Sequence, residues 1–142
     1  MKKMMQFIIV VPIILFACGK SVQVGDCGAR CNENIACTEV FISIVVQVEN
    51  ALGEGVNLNN VSVQRKSDGK IILENKKADL AKDGKYVLFT DSEIDETSQC
   101  GEEFLFKGYK DSKLVVNETF EVAHNCCHVF LKSGNTTIVV DN

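Results

Sequence analysis

An all-β fold, an antiparallel two-sheet sandwich of seven or eight strands, is predicted by three features of the sequence. Apolar and polar residues alternate over short runs rich in Val, Ile and Phe, the period of a strand with one buried face. Turn signals such as Asp68-Gly69, Asp83-Gly84 and Asp111-Ser112 separate these runs at short intervals. No long apolar pattern of helical period competes with them. Strands half-buried on one face need a second layer to cover that face, and two packed sheets provide it.

The elements follow in order. Thr38 to Glu49 is the clearest strand, with Val40, Ile42, Ile44, Val46 and Val48 on one face and Ser43, Gln47 and Glu49 on the other. Ala51 to Asn60, rich in Gly and Asn, is a loop. Val61 to Lys66 alternates again and returns through Asp68-Gly69 into Ile71-Ile72-Leu73, a hairpin whose type I′ turn needs positive φ at both central positions. Tyr86 to Thr90 is a short strand, and the acidic loop Asp91 to Gln99 has room for one helical turn. Glu103 to Lys110 turns at Asp111-Ser112 into Lys113 to Ala123, where Leu114, Val116, Phe120 and Val122 share a face and Glu118 is the polar exception. Cys127 to Lys132 and Thr136 to Asp141 are expected to pair with one another across Ser133-Gly134-Asn135.

At 142 residues, 46% hydrophobic and 24% charged, the chain has room for one domain, residues 37–142, behind an export leader and a tether. The leader, residues 1–17, has a charged start at Lys2-Lys3, an apolar run from Phe7 to Phe16 and a small residue, Ala17, before Cys18. With Pro12 inside it, the run falls well short of the roughly 20 residues of a permanent transmembrane helix. Leu15-Phe16-Ala17-Cys18 resembles the bacterial lipobox, from which Phe16 departs at its slot. The resemblance implies cleavage before Cys18, diacylation of its thiol, palmitate being one such acyl group, and acylation of the freed amine. Several acyl chains on one residue anchor stably where one chain is marginal. Residues 18–36, with Gly, Ser, Asn and scattered charge, form the lipidated tether. The expected address is the cell envelope, periplasmic or surface-exposed, with the membrane as the partner reached through lipid.

Without Lys2 and Lys3 of the leader, 13 of the 15 basic residues remain against 19 acidic ones, a balance of -6. Arg65, Lys66, Lys76, Lys77, Lys107 and Lys110 are interleaved with acids rather than clustered, which argues against nucleic acid as a partner.

Over residues 36 to 141 the chain resembles small bacterial lipoproteins with a prealbumin-like or carboxypeptidase-regulatory-like (Ig-like) β-sandwich. The stretches that carry the resemblance are Ala36-Cys37-Thr38 before a long strand, Phe106-Lys107-Gly108-Tyr109 before a hairpin, and His124-Asn125-Cys126-Cys127-His128 before the last strands. It implies a structural or binding module, with a protein or glycan as the open alternatives for a ligand. The transthyretin-like fold also houses a purine-pathway hydrolase, whose terminal Tyr-Arg-Gly-Ser signature has no counterpart in Thr137-Ile138-Val139-Val140-Asp141-Asn142. That activity is not carried over.

Once Cys18 is assigned to lipid, Cys27, Cys31, Cys37, Cys100, Cys126 and Cys127 remain, an even number that in an oxidising compartment reads as disulfides. Neighbours on a strand point to opposite sides, so Cys126 and Cys127 each reach a separate partner. Cys37 is expected to pair with Cys126 or Cys127, while Cys27, Cys31 and Cys100 supply the rest. A Cys37 to Cys127 bridge would contribute on the order of 4 kcal/mol by closing so long a loop. The alternative is a metal site or thiol-redox centre in His124-Asn125-Cys126-Cys127-His128. If that segment is extended, His124, Cys126 and His128 lie on one face as zinc or copper ligands. In the disulfide reading neither metal nor cofactor is expected.

No catalytic function is expected. Cys127 beside His128, and Cys126 near His124, offer a thiol and an imidazole without the orienting third group a nucleophile needs. Cys-x-x-Cys, Gly-x-Ser-x-Gly, P-loop and His-Glu-x-x-His motifs are absent from the sequence. Glu93, Asp95, Glu96, Glu102 and Glu103 lack the order of a calcium loop and read as solvated. Phe104, Phe106, Phe120 and Phe130 read as core, with Tyr109 the aromatic expected at the surface. Asn60, Asn117 and Asn135 begin Asn-x-Ser/Thr patterns, which a bacterial host does not read.

Overall fold

The computed structural model describes residues 31, 35–75 and 83–141. The leader, Cys18, Cys27 and most of the tether lie outside the described residues.

Eight strands form two sheets. They are β1 (Ser43–Glu49), β2 (Asn60–Arg65), β3 (Ile71–Asn75), β4 (Lys85–Thr90), β5 (Glu102–Lys110), β6 (Lys113–His124), β7 (Val129–Ser133) and β8 (Thr137–Val139), with a 3-10 turn at Asp91–Glu96. One sheet has the order β4-β1-β8 and the other β3-β2-β5-β6-β7. The alternation read from the sequence becomes the inner face of each. Val46, Val48, Leu88 and Phe89 from the first sheet meet Val63, Phe104, Phe106, Phe120 and Val122 from the second, all nearly or fully buried. Phe89 and Phe104 bridge the two layers with ring centroids 4.8 Å apart.

Three expectations of register are corrected, each for a physical reason. The first strand opens at Ser43 rather than Thr38, because Ile42 N–H is taken by the Asp91 carboxylate at 2.8 Å instead of a ladder partner; Val40 is 60% exposed. In β6 a bulge sets Gly108 opposite Val116 but Tyr109 opposite Leu114, so Val115 packs against the core and Leu114 is turned outward. The β2–β3 hairpin exists, but only Gly69 of its expected type I′ pair has positive φ (75°), and Arg65 C=O accepts from Gly69 N–H across a longer turn. Asp111-Ser112, between β5 and β6, is a two-residue turn with positive φ at both positions, 50° and 66°.

The largest correction concerns the C-terminus. β7 and β8 do not pair with each other. β7 runs antiparallel to β6, whereas β8 crosses to the other layer and lies parallel to β1, Gln47 opposite Thr137 and Glu49 opposite Val139. Ile138 and Val140 are buried, so the crossing gives the three-stranded sheet its second flank. Phe130, on the edge strand β7, is exposed rather than core, and Tyr109 is half-buried.

The loop between β1 and β2 is held from beneath. Burial raises the pKa of the Tyr86 hydroxyl, which accepts from Leu58 N–H (2.5 Å) and donates to Val56 C=O (2.9 Å). Tyr86→Phe removes both partners at once in a buried position, so a loss of about 2 kcal/mol is expected, read as a lower urea midpoint at unchanged m-value.

Candidate functional site

The chemistry-bearing residues converge on the turn between β6 and β7. β6 ends at His124, whose pairing with Val129 leaves Asn125 to Cys126, Cys127 and His128 as a four-residue turn. Asn125 closes it: its side-chain carbonyl accepts from Cys127 N–H (3.1 Å) and His128 N–H (2.9 Å), and its own N–H reaches His128 C=O. Cys126 takes a positive φ of 74° at the apex. The segment is therefore a turn and not an extended strand, and in place of the expected row of His124, Cys126 and His128 on one face, His124 stays beside Cys126 while His128 turns to Asp91 and Thr38.

The two apical cysteines reach different partners, Cys126 bonding Cys31 and Cys127 bonding Cys37. Both partners sit in the segment that leads from the tether into β1, so the bridges fasten the incoming chain to the tip of the hairpin. The second is one of the two pairings left open for Cys37. Gln99 donates from its side-chain amide to both sulfurs of the first bridge, at 3.0 Å to Cys31 and 2.7 Å to Cys126.

His128 and His124 have separate surroundings. The His128 ring lies between Asp91 and Thr38, Nδ1 at 2.8 Å from Asp91 Oδ2 and Nε2 at 2.9 Å from Thr38 Oγ1. Asp91 also accepts from Ile42 N–H and, through its other oxygen, from Val129 N–H at 2.8 Å. Burial works to raise its carboxyl, but these N–H donors and the imidazole outweigh it and hold the pKa below the ordinary carboxylate value. The carboxylate thus joins three chain segments: the start of β1, the end of β4 and the start of β7. His124, by contrast, accepts at Nδ1 from Cys126 N–H (3.1 Å) and lies beside the Cys31–Cys126 bridge.

A group whose folded-state pKa is depressed stabilises above its unfolded pKa and loses that contribution as pH falls. The Asp91 contribution is whole above about pH 4 and drains away below it, through the lower folded value. Asp91→Asn is expected to cost about 2 kcal/mol at pH 7 and clearly less near pH 3, measured by urea unfolding at the two values.

Four of the acids read as solvated, Glu93, Glu96, Glu102 and Glu103, are matched to specific partners. Glu93 and Thr90 form a capping box on the 3-10 turn; Glu96 faces Arg65 and Lys70, which hold its carboxyl low; Glu102 accepts from Ser67, and Glu103 pairs with Lys66. Asp91, Thr38 and Gln99 were not legible as site residues, since nothing local marks a contact made across the fold. The Thr90-x-x-Glu93 spacing and the Asx-forming Asn125 were legible signals.

Compared with family models, with curated proteins and with solved structures, the chain matches none of them.

Proposed function

We propose that the protein is a lipid-anchored envelope lipoprotein whose sandwich acts as a non-enzymatic binding or structural accessory module, of the prealbumin-like or carboxypeptidase-regulatory-like kind. The observation that carries this reading is the order of parts at the N-terminus: Lys2-Lys3, the short apolar run, then Leu15-Phe16-Ala17-Cys18. The bridges from Cys31 and Cys37 fit it, because they fasten the tethered end to the domain and suit an oxidising compartment. In this reading lipid at Cys18 holds the module at a membrane surface, and its loops meet a protein or glycan partner.

The test is expression with the native leader in a lipoprotein-processing bacterium fed an alkyne-tagged palmitate analogue. Label in the wild-type chain and none in Cys18→Ala, with the variant lost from the detergent phase, is the expected outcome. Equal detergent partition of the two chains without label would overturn the anchor.

A further inference from the structure

We infer that reducing the Cys31–Cys126 bridge converts its two sulfurs, together with His124, into a site for a thiophilic divalent cation, zinc in the first instance. The donor atoms of Cys31, His124 and Cys126 already lie within 4.8 Å of one another. Tetrahedral zinc, with Zn–S near 2.3 Å and Zn–N near 2.0 Å, needs donors about 3.4 to 3.8 Å apart. Opening the bridge lets the sulfurs separate to that distance by side-chain rotation, with little demand on the backbone. Cys31 is exposed and the other two are half-buried, so the ion approaches from solvent while part of the site is already walled.

Two of the three donors are fixed before any ion arrives. His124 ends β6, paired with Val129 and bonded through its N–H to Ser98 C=O, and Cys126 is held in the turn that Asn125 closes. Cys31 comes from the tether, and the Cys37–Cys127 bridge keeps it within six residues of the turn, which raises its effective concentration at the site. Gln99 supplies an outer-sphere donor, its amide already directed at both sulfurs. A fourth position is left for water or for the Gln99 carbonyl after an amide flip.

The chemistry balances in two steps. A dithiol reductant gives two electrons and two protons to the disulfide and becomes a disulfide itself, leaving two thiols at Cys31 and Cys126. Zinc then binds both sulfurs, releasing two protons, and the neutral imidazole of His124 completes the protein donors. The site is thereby conditional on redox state: closed and metal-free when oxidised, open to metal when reduced.

The test is zinc titration against a chromophoric chelator, with Co2+ as a spectroscopic substitute, on oxidised full-length protein and on full-length protein reduced by limiting phosphine to two thiols, with peptide mapping to confirm that Cys31–Cys126 is open and Cys37–Cys127 intact. One zinc per reduced chain, none in the oxidised chain, and a cobalt–thiolate charge-transfer band are expected. Cys31→Ser and His124→Ala should each weaken zinc binding about 100-fold, whereas His128→Ala, whose ring faces Asp91 and Thr38, should retain the thiolate band. Near-UV ellipticity on the same samples reports folding. Zinc uptake equal in all variants, uptake equal in the oxidised chain, or none on reduction of a folded chain would each overturn the inference.

Discussion

Gly84→Val is expected to abolish accumulation of folded protein, or to lower stability by about 4 kcal/mol or more where folding survives. Gly84 sits where three backbone stretches meet: Val48 N–H donates to Gly84 C=O at 2.7 Å, and Val56 N–H donates to Val48 C=O at 2.8 Å. A Cβ at Gly84 would lie 2.2 Å from the Val48 carbonyl oxygen and 2.8 Å from Gly55 Cα. These obstacles are backbone, in the central strand of the three-stranded sheet and in the loop that follows it, so no side-chain rotation relieves them. The φ of 76° adds the left-handed penalty, largest for a β-branched residue. Gly53→Ala separates the two effects, because Gly53 has a similar φ of 79° but nothing within 4 Å of an added Cβ. That variant should lose only about 1 kcal/mol. Thermal unfolding of both proteins measures the difference, and equal losses would remove steric contact as the cause.

Gly84 also shows what was legible in the sequence. Asp83-Gly84 announces a turn, and both residues do take positive φ, but no local pattern says that the turn abuts β1 and the following loop. The same division runs through the fold. Val46, Val48, Val63, Phe104 and Phe106 are buried where alternation puts them, because period two is a property of each strand alone. Alternation fails at bulges, where one extra residue reverses the facing: Leu88 and Phe89 are both buried because β4 is irregular opposite Ile44 and Val45. Pairing fails where partners are distant. Ser133-Gly134-Asn135 has the composition of a hairpin turn, yet β8 finds an edge of β1 some ninety positions earlier, a contact set by core burial rather than by the turn. At the site, Cys31, Cys37, Cys126 and Cys127 were legible as disulfide partners. The Asp91–His128 contact was not, since it joins residues 37 apart whose approach depends on the finished sandwich.

The two bridges are expected to behave as one staple with a large joint effect and small separate ones. Each alone spans a long loop, 90 residues for Cys37–Cys127 and 95 for Cys31–Cys126, and chain entropy assigns such a loop between 4 and 5 kcal/mol. The loops are almost concentric, however. Once Cys37–Cys127 is formed, Cys31–Cys126 closes only the short ring made by six steps along the tether side and one along the turn. A ring of that size constrains the unfolded chain by about 2 kcal/mol. Replacing either pair by serine should therefore cost about 2 kcal/mol, because the surviving bridge still keeps the long loop closed. Replacing both should cost about 7 kcal/mol, well above twice the single loss and comparable with the whole stability of a small domain. The experiment uses a Cys18→Ser/Cys27→Ser/Cys100→Ser background, so that no other sulfur closes a loop in the unfolded chain, and reads urea midpoints and m-values. Single losses near 4 to 5 kcal/mol that add would mean the bridges act on independent parts of the chain. A joint loss near 2 kcal/mol would mean that contacts of the Asp91, His128 and Thr38 cluster persist in the unfolded ensemble and already hold the tether side near the hairpin tip.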